Sequence, residues 1–203
     1  MERVIDFLSS LDRRVFLLIN APAHPDPFVL AIARFSTSWL VVIAALALAV
    51  VWIVGRAPRR KALVLAGAAL VLGLAINWTI ATLWYHPRPF AVGLGHAFVA
   101  HAPETSFPSD HGTFLWSLGF GLLVAPALRG LGLVVVVLGF ITAWARIYVG
   151  VHYPLDMVGS LVVSTVAVLA ARRIEPFLLR RVHPLAEDVR ARLAALVGAR
   201  RPG

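Results

Sequence analysis

Four stretches of this chain, about 36–55, 62–84, 131–149 and 156–172, are long and apolar enough to cross a bilayer. A hydrocarbon core about 30 Å thick needs roughly 20 apolar helical residues. Within it only helices and closed barrels satisfy every backbone N–H and C=O. Continuous runs of this length specify helices, so the expected fold class is all-α, a polytopic membrane helical bundle. A fifth stretch, about 111–128, is slightly short and is bounded by Pro108 and Pro126. The stretch 2–20 is interrupted by Asp6, Asp12, Arg13 and Arg14, as an interfacial or bundle-facing helix would be. Counting both, five to six transmembrane helices are expected. Pro22, Pro25 and Pro27 break the helical pattern after the first helix. Composition agrees: the chain is 60% hydrophobic and 14% charged, against about 45–50% and about 25% in soluble domains.

The net charge is +9, and its placement sets an orientation. Arg56, Arg59, Arg60 and Lys61 are read as one short loop. Arg172, Arg173, Arg180, Arg181, Arg190, Arg192, Arg200 and Arg201 fall at the C-terminal end. The positive-inside rule accounts for these clusters, so nucleic acid is not expected as a partner. With the basic segments cytoplasmic, alternating spans carry Arg88, Ser109, His111, Arg146, His152 and Asp156 to one extracytoplasmic face. The chain reads as one domain over 1–203. Residues 1–25 form an interfacial or first membrane helix, 26–173 the helical bundle, and 174–203 a basic cytoplasmic tail whose stretch 183–199 has the pattern of a surface helix. No signal-peptide pattern is seen at the start. Without cysteine, disulfides and thiolate metal sites are excluded.

Polar residues at the ends of the apolar stretches carry the chemistry. Pro108-Ser109-Asp110-His111 precedes a long apolar run, a helix-start signal. The free N–H groups and positive dipole end there suit a phosphate. Ser109 or Asp110 reads equally well as a plain helix cap. His111, in the first turn, suits a general acid for a leaving oxygen. Asp156 follows His152 by four residues and can hold one imidazole nitrogen, leaving the other as an oriented nucleophile. Arg146 ends an apolar helix, where snorkelling to the interface is its ordinary role. Arg88 lies between Pro87 and Pro89, which fix its backbone; its planar fork matches phosphate oxygens.

Other polar and aromatic residues read as structural. The six tryptophans suit core packing or an interfacial belt. His86, His96 and His101 share the segment 85–110 without the spacing of a metal site, and no metal or other cofactor is expected. Glu104 and Asp26 could shape the mouth of a site, but solvated loop charges are the simpler reading. Asn77, inside a span, is expected to be satisfied by a neighbouring helix.

Taken together, these residues resemble the type-2 phosphatidic acid phosphatase superfamily, membrane lipid phosphatases related to vanadium haloperoxidases. Its motifs Lys-x6-Arg-Pro, Pro-Ser-Gly-His and Ser-Arg-x5-His-x3-Asp are similar to Ala81-x6-Arg88-Pro89, Pro108-Ser109-Asp110-His111 and Ala145-Arg146-x5-His152-x3-Asp156. Three positions depart: Ala81 for lysine, Asp110 for glycine and Ala145 for serine. The strings His86-Pro87-Arg88-Pro89-Phe90 and Ser106-Phe107-Pro108-Ser109-Asp110-His111-Gly112-Thr113 look like the undecaprenyl-diphosphate phosphatases of the bacitracin-resistance type.

The resemblance implies metal-independent hydrolysis of a polyprenyl diphosphate in the bacterial cytoplasmic membrane. His152, His111 and Asp156 would be catalytic, and Arg88, Ser109, Asp110 and Arg146 would bind the substrate. Phosphatidylglycerophosphate, phosphatidate or a lipid A phosphate would suit the same motifs. So would a non-catalytic membrane protein that binds lipid phosphates. Membrane lipids are the other expected partner, and oligomeric state is left open.

Overall fold

A computed structural model describes residues 2–198. The chain forms α1 (Glu2–Ile19), α2 (Pro27–Val54), α3 (Ala57–Leu83), α4 (Asp110–Leu123), α5 (Arg129–Tyr148) and α6 (Pro154–Arg173), followed by two short helical turns and a C-terminal helix, His183–Gly198. No strand occurs among the described residues. Four helices, Pro27–Val54, Ala57–Leu83, Pro126–Tyr148 and Pro154–Arg173, are long and apolar enough to cross a membrane, one for each of the four apolar stretches.

The expected count of five to six spans is too high by this measure, and α4 gives the reason. It has 14 residues, about 21 Å at 1.5 Å per residue, short of the roughly 30 Å hydrocarbon core. It is the hub of the bundle, packed against α3, α5 and α6. Nine of its residues are buried, against six in the 28 residues of α2. Small residues allow the close packing. A Cβ on Gly121 would sit 2.7 Å from the Ala66 Cα, and one on Gly119 the same distance from the Val136 side chain. Interhelical hydrogen bonds replace water: Ser117 donates to Ser164 at 3.1 Å, and Asn77 to Asp110 and Thr113 at 2.9 and 3.0 Å. The neighbouring-helix partners expected for Asn77 are these two.

Besides the end of α4, at Leu123 rather than near 128, two boundaries differ from the sequence reading. Helix α2 begins at Pro27 rather than near 36, because Asp26 caps it by accepting from the Phe28 and Val29 N–H groups at 2.9 Å. Asp26 is therefore a cap, and Pro27 starts the helix rather than breaking it. Helix α3 begins at Ala57, so Arg59, Arg60 and Lys61 lie in its first turns and only Arg56 precedes it. Arg60 pairs with Glu187 of the C-terminal helix, tying that helix to the basic end of the bundle. Arg200 and Arg201 lie outside the described residues.

The other end of the bundle is closed by α1, which is not among the membrane-length helices. Phe16 is fully buried and packs on Tyr153 with ring centroids 5.5 Å apart. Asp12 accepts from the Leu155 N–H at 2.9 Å. Asn20 donates to the Tyr148 and His96 carbonyls at 3.0 and 2.9 Å. The helix lies across the ends of α5 and α6 and supports the turn between them, the bundle-facing alternative for residues 2–20.

Candidate active site

Helices α3 and α5 end where α4 and α6 begin, so the intervening segments 84–109 and 149–153 face each other. The second segment turns sharply at Gly150, whose φ is +85°; an added Cβ there would collide with the His96 carbonyl. That turn carries His152 back under the end of α5. Pro154 then opens α6, and Asp156 accepts from the Tyr153 N–H at 2.8 Å, satisfying the backbone at the start of the helix.

His152 is 1% exposed and both ring nitrogens are engaged. Its Nδ1 lies 3.1 Å from Asp156 Oδ2. Its Nε2 lies 3.1 Å from Arg88 Nη1 and 3.1 Å from Arg146 Nη2. Guanidinium nitrogens can only donate, so Nε2 is the acceptor and Nδ1 carries the proton given to Asp156. Burial, and then the neighbouring Arg146 charge, push the imidazole pKa down to about 3. The ring is thus neutral at pH 7, with its lone pair between two cations.

Both arginines are held as tightly. Arg88 and Arg146 are 5% and 3% exposed. Arg88 also donates to the Val151 and Thr105 carbonyls at 2.9 and 3.1 Å. Arg146 Nη2 donates in addition to His101 Nε2 at 3.2 Å. Each guanidinium keeps a buried Nε–H without a partner among the described residues, donor capacity suited to an anion. Ser109 caps α4, although its bond from the Gly112 N–H is long at 3.5 Å. Its own carbonyl accepts from Ser160 at 2.8 Å, which locks α4 to α6.

Arg88, Asp110, His111, Arg146 and His152 line one cavity of about 930 Å³. The two histidines therefore open into the same space. Ser109 and Asp156, both fully buried, stand behind its wall. The cavity continues along Val41, Leu74, Trp78, Ala81 and Phe114, a largely apolar flank where α2 leans on α5 more than on α3. Glu104 also lines it, so that residue belongs to the site wall. Trp116 is fully buried, and Trp39 and Trp84 are exposed on the bundle's surface, in keeping with core and belt, whereas Trp78 lines the cavity.

Several participants carried no local signal in the sequence. Asp156 Oδ1 accepts from Ser106 at 3.3 Å and lies 3.6 Å from His86 Nδ1. His101 reaches Arg146 only because the segment 84–109 folds over the end of α5. Regular spacing within an element marks a face, but contacts from an irregular segment depend on tertiary closure.

A neutral imidazole held by a carboxylate, facing a second imidazole and two guanidiniums beside an apolar flank, has the chemical parts for phosphoryl transfer from an amphiphile. Residues 61–180 match the PAP2 superfamily. The chain is 35% identical to YbjG of Escherichia coli (strain K12), over 82% of this chain and 84% of that protein. It is also 35% identical to the undecaprenyl-diphosphatase BcrC of Bacillus subtilis (strain 168), over 77% of this chain and 80% of BcrC. The crystal structure of Aquifex aeolicus LpxE shares the fold with a TM-score of 0.61 at 19% identity, covering 79% of this chain and 93% of LpxE. The chain belongs to the PAP2 superfamily and is a membrane phosphatase.

Proposed function

We propose that this enzyme hydrolyses undecaprenyl diphosphate to undecaprenyl phosphate and phosphate, through a phosphohistidine on His152. The observation that carries this reading is the His152 lone pair, neutral and fixed between Arg88 and Arg146. The terminal phosphate displaces the two guanidiniums from Nε2 and takes their hydrogen bonds on its oxygens, with the α4 N-terminus beneath it. His152 Nε2 attacks phosphorus in line with the bridging oxygen. Burial, and then the Arg146 charge, disfavour a protonated His111 in the free site. His111 therefore takes up a proton from solvent as the anionic substrate enters, and delivers it to the bridging oxygen as the P–O bond to the polyprenyl phosphate breaks. The guanidiniums offset charge on the equatorial oxygens, and Asp156 stabilises the charged ring through Nδ1. His111, now neutral, takes a proton from water as its oxygen attacks the phosphohistidine. Phosphate leaves, and His152 returns to its starting state.

The apolar flank along α3 gives the polyprenyl chain a path beside the bilayer, and the similarity to BcrC supports the substrate. The basic residues at the far end favour a cytoplasmic location for that end, with the site on the extracytoplasmic side of a bacterial inner membrane. There the product is carrier lipid returned for cell-wall synthesis.

Phosphate release by purified protein tests the reading. Undecaprenyl diphosphate should be hydrolysed faster than phosphatidate or phosphatidylglycerophosphate at equal surface concentration, and His152→Ala should reduce release to background. Faster turnover of either phospholipid would overturn the substrate, and full activity in His152→Ala would overturn the nucleophile.

A further inference from the structure

The fixed charges on the cavity wall cancel. Arg88 and Arg146 are matched by Glu104 and Asp110, all four lining the same space. A diphosphate brings several negative charges, so binding one there calls for additional positive charge. Three imidazoles line the cavity: His101, His111 and His152. In the proposed mechanism His152 must stay neutral to attack, and the His111 proton is spent on the leaving group. His101 has no such duty, yet it is built into the site. Its Nδ1 donates to the Ala102 carbonyl at 3.1 Å, leaving Nε2 to accept from Arg146 Nη2 at 3.2 Å. The same Nη2 lies 3.1 Å from the His152 lone pair. One guanidinium nitrogen therefore bridges the attacking ring and His101.

We propose that His101 recognises the second, non-transferred phosphate of a diphosphate, taking up a proton from solvent as the ligand enters and donating it through Nε2. This rests on the diphosphate reading of the site. In the free enzyme, burial together with Arg88 and Arg146 disfavours the imidazolium, while Glu104 favours it. His111 on α4 faces the same space and is disfavoured as a cation by burial and then by Arg146, His101 and Arg88, so it too gains a proton when an anion enters. A bound diphosphate offsets the two arginine charges that oppose protonation and supplies an acceptor for the new N–H. Specificity for diphosphate over monophosphate then arises from a group that becomes charged only when the second phosphate is present.

The probes are methylenediphosphonate, which cannot be hydrolysed at its bridge, and inorganic phosphate, titrated calorimetrically in buffers of different ionisation enthalpy. The wild-type enzyme should prefer the diphosphonate by about tenfold or more and take up a proton on binding it. His101→Gln is the informative variant, because its amide oxygen still accepts from Arg146 but the side chain cannot become charged. It should lose about tenfold in diphosphonate affinity and the His101 share of the proton uptake, leaving the share taken by His111, with phosphate affinity within about twofold of wild type. Adding Ala81→Lys, a cation on the same cavity wall, should restore diphosphonate affinity without restoring the lost uptake. Unchanged diphosphonate affinity or proton uptake in His101→Gln would overturn the role of His101 while leaving the diphosphate reading intact. A wild-type enzyme with no preference for diphosphonate over phosphate would instead overturn that reading, and this inference with it.

Discussion

Arginine serves opposite purposes at the two ends of this bundle. At the cavity, Arg88 and Arg146 are 5% and 3% exposed and are held by carbonyls and imidazoles from other segments. At the far end the Arg172 side chain is 47% exposed and meets Glu175 three residues on. Solvated charges cost little to keep and contribute little to stability, and their number and side suffice to orient spans. Charges taken out of water are costly unless fully paired. Two kept beside a neutral imidazole therefore do not serve stability, and the proposed anionic substrate would supply their missing partner. Burial and partners separate the two uses, where residue type does not.

Substitutions should widen that contrast in a graded order. His111→Gln should lower kcat by about 10²–10⁴-fold, the range for a lost general acid. Part of that loss should be recovered with a substrate whose leaving group needs no protonation. Arg146→Lys keeps the charge but not the fork, and should lower kcat/KM by about 10²–10³-fold. An Arg146→Lys enzyme within a few-fold of wild type would remove geometry from the account and leave only charge. Arg172→Ala, at the other end, should leave kcat/KM unchanged and shift unfolding by less than about 1 kcal/mol.

Helix α1 offers a smaller and pH-dependent test. Burial raises the Asp12 pKa from 3.8 to about 6, so the folded protein holds that proton more tightly than the unfolded chain. The stability Asp12 contributes is therefore greatest below about 3.8 and is lost as pH rises through about 6. Asp12→Asn keeps an acceptor for the Leu155 N–H and should be at least as stable as wild type at pH 7. Asp12→Ala removes that acceptor and should cost about 1 kcal/mol, with reduced kcat because the turn bearing His152 loses support. Thermal unfolding at pH 5 and pH 7 checks the sign; destabilisation by Asn equal to that by Ala would contradict it. His152 acts in the opposite sense. Its pKa falls from 6.5 to about 3 on folding, so its contribution is present above about 6.5 and is lost as pH falls toward 3.

The spans and the clustering of His111, Arg146 and His152 are legible in the sequence, because both come from simple rules: apolar length, and reversal of direction from each helix to the next, the short α4 included. Three features were less accessible. The start of α2 was placed too late because Asp26-Pro27 looks like a break until the Asp26 carboxylate is seen capping Phe28 and Val29. The stretch 111–128 reads as slightly short for a span, and α4 is shorter still because it ends at Leu123 and Pro126 opens a separate turn. His101, Ser106 and His86 gave no signal at all, since their partners Arg146 and Asp156 lie about 45 to 70 residues away. Contacts of that kind come from how segment 84–109 closes over the bundle, which no periodicity encodes.

The most direct measurement is to mix purified enzyme with undecaprenyl diphosphate carrying a labelled terminal phosphate. Alkaline quenching within one turnover would preserve a phosphohistidine, and peptide mass spectrometry would locate it. The label should be found on His152, attached at Nε2, because Nδ1 is committed to Asp156. Label on His111, or full turnover with no protein-bound phosphate at any time point, would contradict the account.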